Sequence, residues 1–255
     1  MAIGDTGVSR RAFLGAAASL ALAGTAQTAV PSDRAVALAS ARRAELISLL
    51  ERLVAIRSLS GETAEEAQAV VTAFLEELPY RIETSADRPS RFEQHAEYMP
   101  PNPPGDGPFV NVIGWPENAG GRRYAMFSHI DSHLIDDGWA TDPFSIETRG
   151  ERFYGLGTAD DKGGVAAMLI AASILADEAE SLPVVMSLHG KGGGSRGSLP
   201  VFDRLSRTDH GIGGVLYVHP AETGRGLEDI KNAVQGILDL ELTVQGWQGA
   251  PMEIG

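Results

Sequence analysis

Between Ser128 and Gly164 the chain reads Ser128-His129-Ile130-Asp131, then Trp139-Ala140-Thr141-Asp142-Pro143-Phe144, then Gly155-Leu156-Gly157-Thr158-Ala159-Asp160-Asp161-Lys162-Gly163-Gly164. No other stretch narrows the fold as far. The run over 124–129 has the β-rich character of a strand. Residues 161–179 place Val165, Met168, Leu169, Ala172 and Leu175 at helical spacing. A His-x-Asp thus closes a strand, and an acid cluster opens a glycine-rich helix. Such a pairing brings an imidazole and a carboxylate together around a divalent metal.

The rest of the chain supplies the scaffold for that pairing. Residues 32–56 predict one long amphipathic helix, with Leu46, Leu49, Leu50, Leu53 and Val54 on one face. A second helix is expected over 64–78, opened by Glu62 and Thr63 and closed by Pro79. The proline-rich stretch 88–107 reads as a surface loop. Short β-rich runs follow at 109–115, 124–129 and 145–154. Segments 183–188 and 214–218 read as buried strands, with a short helix over 199–205 between them. Strands alternating with helices predict an α/β fold, a three-layer sheet with helices on both faces. Over 240–246, Leu240, Leu242 and Val244 alternate with polar residues as in a half-exposed strand.

Composition removes several classes of function. The net charge of −13 leaves no basic stripe for nucleic acid. With no cysteine there is no disulfide, thiolate metal site or cysteine nucleophile. Any metal must sit on His, Asp and Glu, which favours a catalytic or exchangeable site over a structural one. At the N-terminus, Ser9-Arg10-Arg11-Ala12-Phe13-Leu14 is a twin-arginine pattern, followed by an apolar run to about Gly24 and small residues suited to cleavage. Residues 1–30 are therefore expected to be an export signal for the periplasm or beyond. The run is too short and too rich in Gly and Ala for a stable membrane span.

Read by residue chemistry, His129 offers a neutral imidazole, and Asp131 points the same way from a strand and can fix its tautomer. Asp160, just before a helix start, is placed to bridge metals. Together with the turn at Asp142-Pro143-Phe144 and Asn111-Val112-Ile113-Gly114 upstream, this ordered set resembles the zinc-dependent family of aminoacylases, succinyl-diaminopimelate desuccinylases and glutamate carboxypeptidases. The resemblance runs from Asn111 to about Gly246. It implies a zinc-exopeptidase-like catalytic domain over 31–236 and the first strand of an incomplete α+β lid or dimerisation domain over 237–255. It also implies that His129 and Asp160 are metal ligands and that Asp131 supports His129.

By the resemblance, the ligands lost from the family pattern all belong to one metal. The family carries a Glu-Glu pair, a general base followed by a ligand, where this chain has Lys191 and Gly192. Its acidic ligand in a Glu-Pro pair is replaced by His219-Pro220, with Glu222 as the fallback. Its last histidine ligand lies beyond position 255. The pattern predicts one ion here (Zn2+, Co2+ or Mn2+) on His129, Asp160 and His219, against two in full-length relatives. His189 is a candidate replacement base. In Gly190-Lys191-Gly192-Gly193-Gly194-Ser195 the spacing excludes a P-loop, but Lys191 and Arg196 could cradle a substrate carboxylate. His133 is expected to be exposed beside Asp136 and Asp137, and His95 and His210 to lie in loops.

The expected function is hydrolysis of an amide bond in a peptide or N-acyl amino acid by an exported metallohydrolase. The chain reads as a truncated form of a longer protein, with a dimer expected only where the lid domain is complete. The alternative is an inactive fragment, or a non-catalytic protein that binds a metal or an anion.

Overall fold

The structure, a computed structural model, describes residues 32–59, 64–101, 105–117, 123–190, 197–207 and 210–219. The expected signal (1–30), Lys191, Gly192 and Arg196 of the glycine-rich loop, Glu222 and the expected lid strand (237–255) lie outside them.

The chain divides into two units, residues 1–44 and 45–255. In the first, α1 (Asp33–Ala41) starts where the Ser32 hydroxyl accepts the Ala35 N–H at 3.2 Å. The single helix expected over 32–56 is in fact two. At Arg42 (φ −95°, ψ 5°) the backbone leaves the helical region and its N–H turns back to the Ala39 and Ser40 carbonyls. A new helix, α2 (Arg43–Ala55), follows and buries Leu49, Leu50, Leu53 and Val54.

The second unit is built on a sheet. After α3 (Glu65–Glu76) come β1 (Tyr80–Asp87), β2 (Phe109–Pro116) and β3 (Arg123–His129). A hairpin, β4 (Glu147–Arg149) with β5 (Arg152–Tyr154), precedes α4 (Lys162–Asp177). The chain continues through β6 (Val184–Leu188), α5 (Ser198–Ser206) and β7 (Ile212–Tyr217). The five long strands lie in the order β1-β2-β6-β3-β7. Only β2 runs against the rest, being antiparallel to both neighbours, while β6, β3 and β7 are parallel.

Strand alternation sorts the core into two layers. Val112 of β2 and Val185 of β6 point toward α2, α3 and α4, joining Leu53, Val54, Val71, Leu75 and Leu169. Their neighbours Ile113, Val184 and Met186 face the other way, where Val201, Phe202 and Leu205 of α5 cover them. The expected three-layer arrangement with helices on both faces is what the described residues form. Ala67, Val71 and Leu75 repeat every four residues, so α3 presents one apolar stripe to the sheet. Each such Val or Leu contributes about 1.5–3 kcal/mol over leaving it in water.

Two further expectations fail. β1 falls where no strand was expected; it pairs with β2 along its whole length, from Tyr80↔Pro116 to Asp87↔Phe109. β7 was expected to be buried, but Val215, Leu216 and Tyr217 are 50%, 53% and 44% exposed. Apolar content made β7 look like a core strand, whereas among the described strands it lies at the end of the sheet.

Candidate metal centre

In parallel sheets, sites form at the carboxyl ends of the strands. His129 is the last residue of β3, and His189 and His219 follow β6 and β7 at the same edge. The chain beyond His129 is clamped. Ile130 N–H donates to Leu188 O at 2.9 Å and Ser132 N–H to Ser58 O at 2.8 Å, while the Ser58 hydroxyl donates to Ile130 O at 3.0 Å. Asp131 therefore comes back beside His129, and the Nδ1 of His129 donates to Asp131 Oδ1 at 2.9 Å. With Nδ1 carrying the proton, the lone pair of Nε2 is left to face outward.

Asp160 arrives on the turn that opens α4. Lys162 N–H donates to Gly157 O at 2.9 Å, and the Thr158 hydroxyl donates to Gly155 O at 2.9 Å. The double glycine behind it is a steric requirement. A Cβ on Gly163 would lie 2.2 Å from Thr158 O, and one on Gly164 2.2 Å from Val218 O. Only glycines let α4 begin this close to the end of β7. Lys162 is itself fully buried and donates from Nζ to Ile56 O at 2.7 Å, tying the start of α4 to the chain leaving α2. Burial pushes this lysine down to about 8, against the field of Asp131.

The three elements converge on Asp160. Its Oδ1 lies 3.0 Å from His129 Nε2 and 3.2 Å from His219 Nε2, and one ligand atom from each residue falls within 4.8 Å of the others. Val218 N–H donates to Phe127 O at 2.8 Å, which carries the strand register on to His219. Two imidazole nitrogens and a carboxylate oxygen suit zinc and its neighbours. Ligand bonds of about 2.0–2.2 Å in a tetrahedral shell set donors roughly 3.3 Å apart, close to the two spacings seen. The residues present therefore fit one divalent cation.

The electrostatics agree. Burial by itself lowers His129, but hydrogen bonds to Asp131 and Asp160 and the fields of Asp131 and Asp161 outweigh it and lift the imidazole to about 9. The negative field that holds a proton there also attracts a cation. Asp161 lies behind the site, fully buried, and burial pushes it up to about 6 although Ser128, His129 and His219 pull the other way. Its Oδ2 accepts from the Ser128 hydroxyl at 2.6 Å, and its Oδ1 is left unpaired.

The remaining sequence candidates separate. His189 is 4% exposed; its Nδ1 accepts from Val110 N–H at 3.3 Å and its own N–H donates to Asn111 Oδ1 at 2.8 Å. His133 is exposed, as expected. Asp142 Oδ1 accepts Phe144 N–H at 2.9 Å, so that turn braces the loop. Sequence reasoning missed Gly190 (φ +112°), where a Cβ would sit 1.9 Å from Asp131 Oδ1. A glycine straight after a strand was the available signal. It also missed Tyr217, whose ring lies 4.8 Å from that of His219 and 6.4 Å from that of His129.

Residues 125–253 match peptidase family M20/M25/M40. The succinyl-diaminopimelate desuccinylase of Rhizorhabdus wittichii is 28% identical over 203 residues, 80% of this chain and 50% of its own. That of Novosphingobium aromaticivorans is 29% identical over 147 residues, 56% of this chain and 39% of its own. The chain thus spans about half the length, or less, of these curated relatives. Among solved structures, human carnosine dipeptidase 1 superposes with a TM-score of 0.52 at 19% identity, over 70% of this chain and 39% of that one. At that identity the likeness speaks for the fold alone.

Proposed function

This chain belongs to peptidase family M20/M25/M40, and from that membership we propose that it is a metal-dependent hydrolase of amide bonds in peptides or N-acyl amino acids, exported by the twin-arginine route. The observation that carries the reading is the meeting of His129, Asp160 and His219 donors within 4.8 Å at the carboxyl edge of the parallel strands. These three residues would hold one ion. When bound there, zinc, cobalt or manganese supplies a Lewis acid that polarises an amide carbonyl.

The chain's own groups do the rest. Asp131 accepts the Nδ1 proton of His129 and keeps that ring aimed at Asp160. His189, expected as the replacement base, accepts Val110 N–H at Nδ1, so its neutral ring would carry the proton on Nε2; that tautomer is a donor and speaks against the base role. Lys191 and Arg196 receive the substrate carboxylate. The named activity of the relatives favours an N-acyl amino acid such as N-succinyl-diaminopimelate. Export rests on Ser9-Arg10-Arg11 and the apolar run behind it. No described helix is long and apolar enough to cross a membrane.

A second reading is favoured by Lys191 and Gly192, which stand where the family carries its glutamates. On that reading the chain binds a cation or an anionic ligand without hydrolysing anything. Metal analysis of the purified chain, followed by assay of N-succinyl-diaminopimelate and of a dipeptide with each metal, separates the two. One ion per chain with metal-dependent release of succinate or amino acid supports the hydrolase. One ion with no turnover supports the binding protein, and no ion rejects both metal readings.

A further inference from the structure

Tyr217 ends β7 in register with Phe127 of β3, and their rings stack at 4.5 Å with planes 10° apart. Phe127 is in turn held edge-on by Phe202 of α5 at 5.3 Å and 81°. An aromatic file therefore runs from α5 along one face of the sheet to Tyr217. Two residues further on, His219 projects to the same side, its ring 4.8 Å from Tyr217 and tilted 44° to it. The imidazole of His129 lies 6.4 Å from the same ring. Tyr217 is nevertheless 44% exposed, so the core does not explain its place.

We propose that Tyr217 is a positioning residue for the cation site: backed by Phe127, its ring fixes the imidazole of His219 against Asp160. This deepens the metal reading and rests on it. His129 gains its aim from a carboxylate partner two residues away. For His219, one strand turn beyond the last register pair, a flat aromatic wall at van der Waals range does the equivalent work. Ring area, rather than the phenol hydroxyl, is what the stacked and tilted contacts use.

The test is titration of the purified chain with Co2+, read by visible absorption, in Tyr217→Phe, Tyr217→Leu, His219→Ala and the Tyr217→Leu/His219→Ala double variant. Tyr217→Phe is expected to match the unmodified chain within about twofold. Tyr217→Leu is expected to bind about tenfold more weakly, with altered band intensities, the size typical of losing a group that orients a ligand. In the His219→Ala background the same change is expected to add nothing, because the effect passes through His219. A Tyr217→Leu titration indistinguishable from the unmodified one overturns the inference, as does a loss that persists in full in the double variant. Should Tyr217→Leu lose its cooperative melt, Tyr217→Met takes its place with the same two outcomes. Failure of the unmodified chain to bind Co2+, or unchanged binding in His129→Ala, is a separate result that removes the metal reading and this inference with it.

Discussion

His129 and His219 offer the same chemical group to the same carboxylate oxygen, yet the fold holds them in different ways. His129 ends a strand with a partner on each side, its side chain is 9% exposed, and Asp131 is bonded to its second nitrogen. His219 lies past the end of β7, whose last three residues are about half exposed, and its side chain is 16% exposed. The interior strand supplies a ligand with a charged support, and β7, at the end of the sheet among the described strands, supplies one braced by an aromatic ring.

The largest test of this contrast is removal of each imidazole in turn. His129→Ala takes away a ligand and removes a hydrogen bond from Asp131, which is 1% exposed. Zinc affinity is expected to fall by more than about a hundredfold, against roughly ten- to a hundredfold for His219→Ala. Calorimetric titration of both variants decides it, and equal losses would break the contrast.

A pH effect comes next, and it belongs to the His129 side. The folded-state pKa of about 9 lies above the ordinary 6.5, so the folded chain keeps a proton that the unfolded chain releases between those values. The stabilisation is complete below pH 6.5 and is lost as pH rises through about 9, a span worth about 3 kcal/mol. Lys162 acts oppositely at the upper end: held at about 8 instead of 10.5, it offsets the His129 loss between about pH 8 and 9 and raises stability above that. Urea melts of metal-stripped protein are therefore expected to weaken from pH 6.5 to 8, and His129→Gln to flatten that slope. A slope that survives the substitution would assign it elsewhere.

Gly190→Ala should cost less but strikes the same support. The new Cβ would overlap Asp131 Oδ1 and Cγ, at 1.9 and 2.7 Å, at a φ of +112° that L-residues rarely adopt. About 1–3 kcal/mol of stability should go, together with about tenfold in zinc affinity as Asp131 is displaced. Gly105→Ala, where nothing lies within 4 Å, is the matched control. Loss of stability with unchanged zinc binding would show that Asp131 tolerates displacement.

The same contrast explains what the sequence made legible. His129, Asp131 and Asp160 were readable because each is fixed by local order: a strand end, a two-residue alternation, a helix start next to two glycines. His219 was readable by register alone. β1 was missed, although Tyr80, Ile82 and Thr84 alternate, because polar residues fill the other positions and it follows a helix almost directly. β7 was misread because sheet order is a long-range property. Gly190 acts across strands, on Asp131, and no window along the chain brings that pair together; Tyr217 stands two residues before His219, but the Phe127 ring that backs it belongs to another strand. The burial of Lys162 is similar, since the carbonyl that accepts from it belongs to Ile56, far away in sequence.

The smallest expected effect bears on whether β7 is as loosely held as its exposure suggests. Leu216 is 53% exposed on β7, whereas Met186 is fully buried on β6 beneath α5. Met186→Ala leaves a cavity between sheet and helix and is expected to cost about 2–5 kcal/mol. Leu216→Thr loses little buried surface, puts a strand-favouring β-branched side chain in its place, and should shift stability by no more than about 0.5 kcal/mol. Denaturant melts of the two variants give the comparison directly. A Leu216→Thr penalty of several kcal/mol would mean that β7 is covered in the folded protein, and that His219 stands on as firm a base as His129.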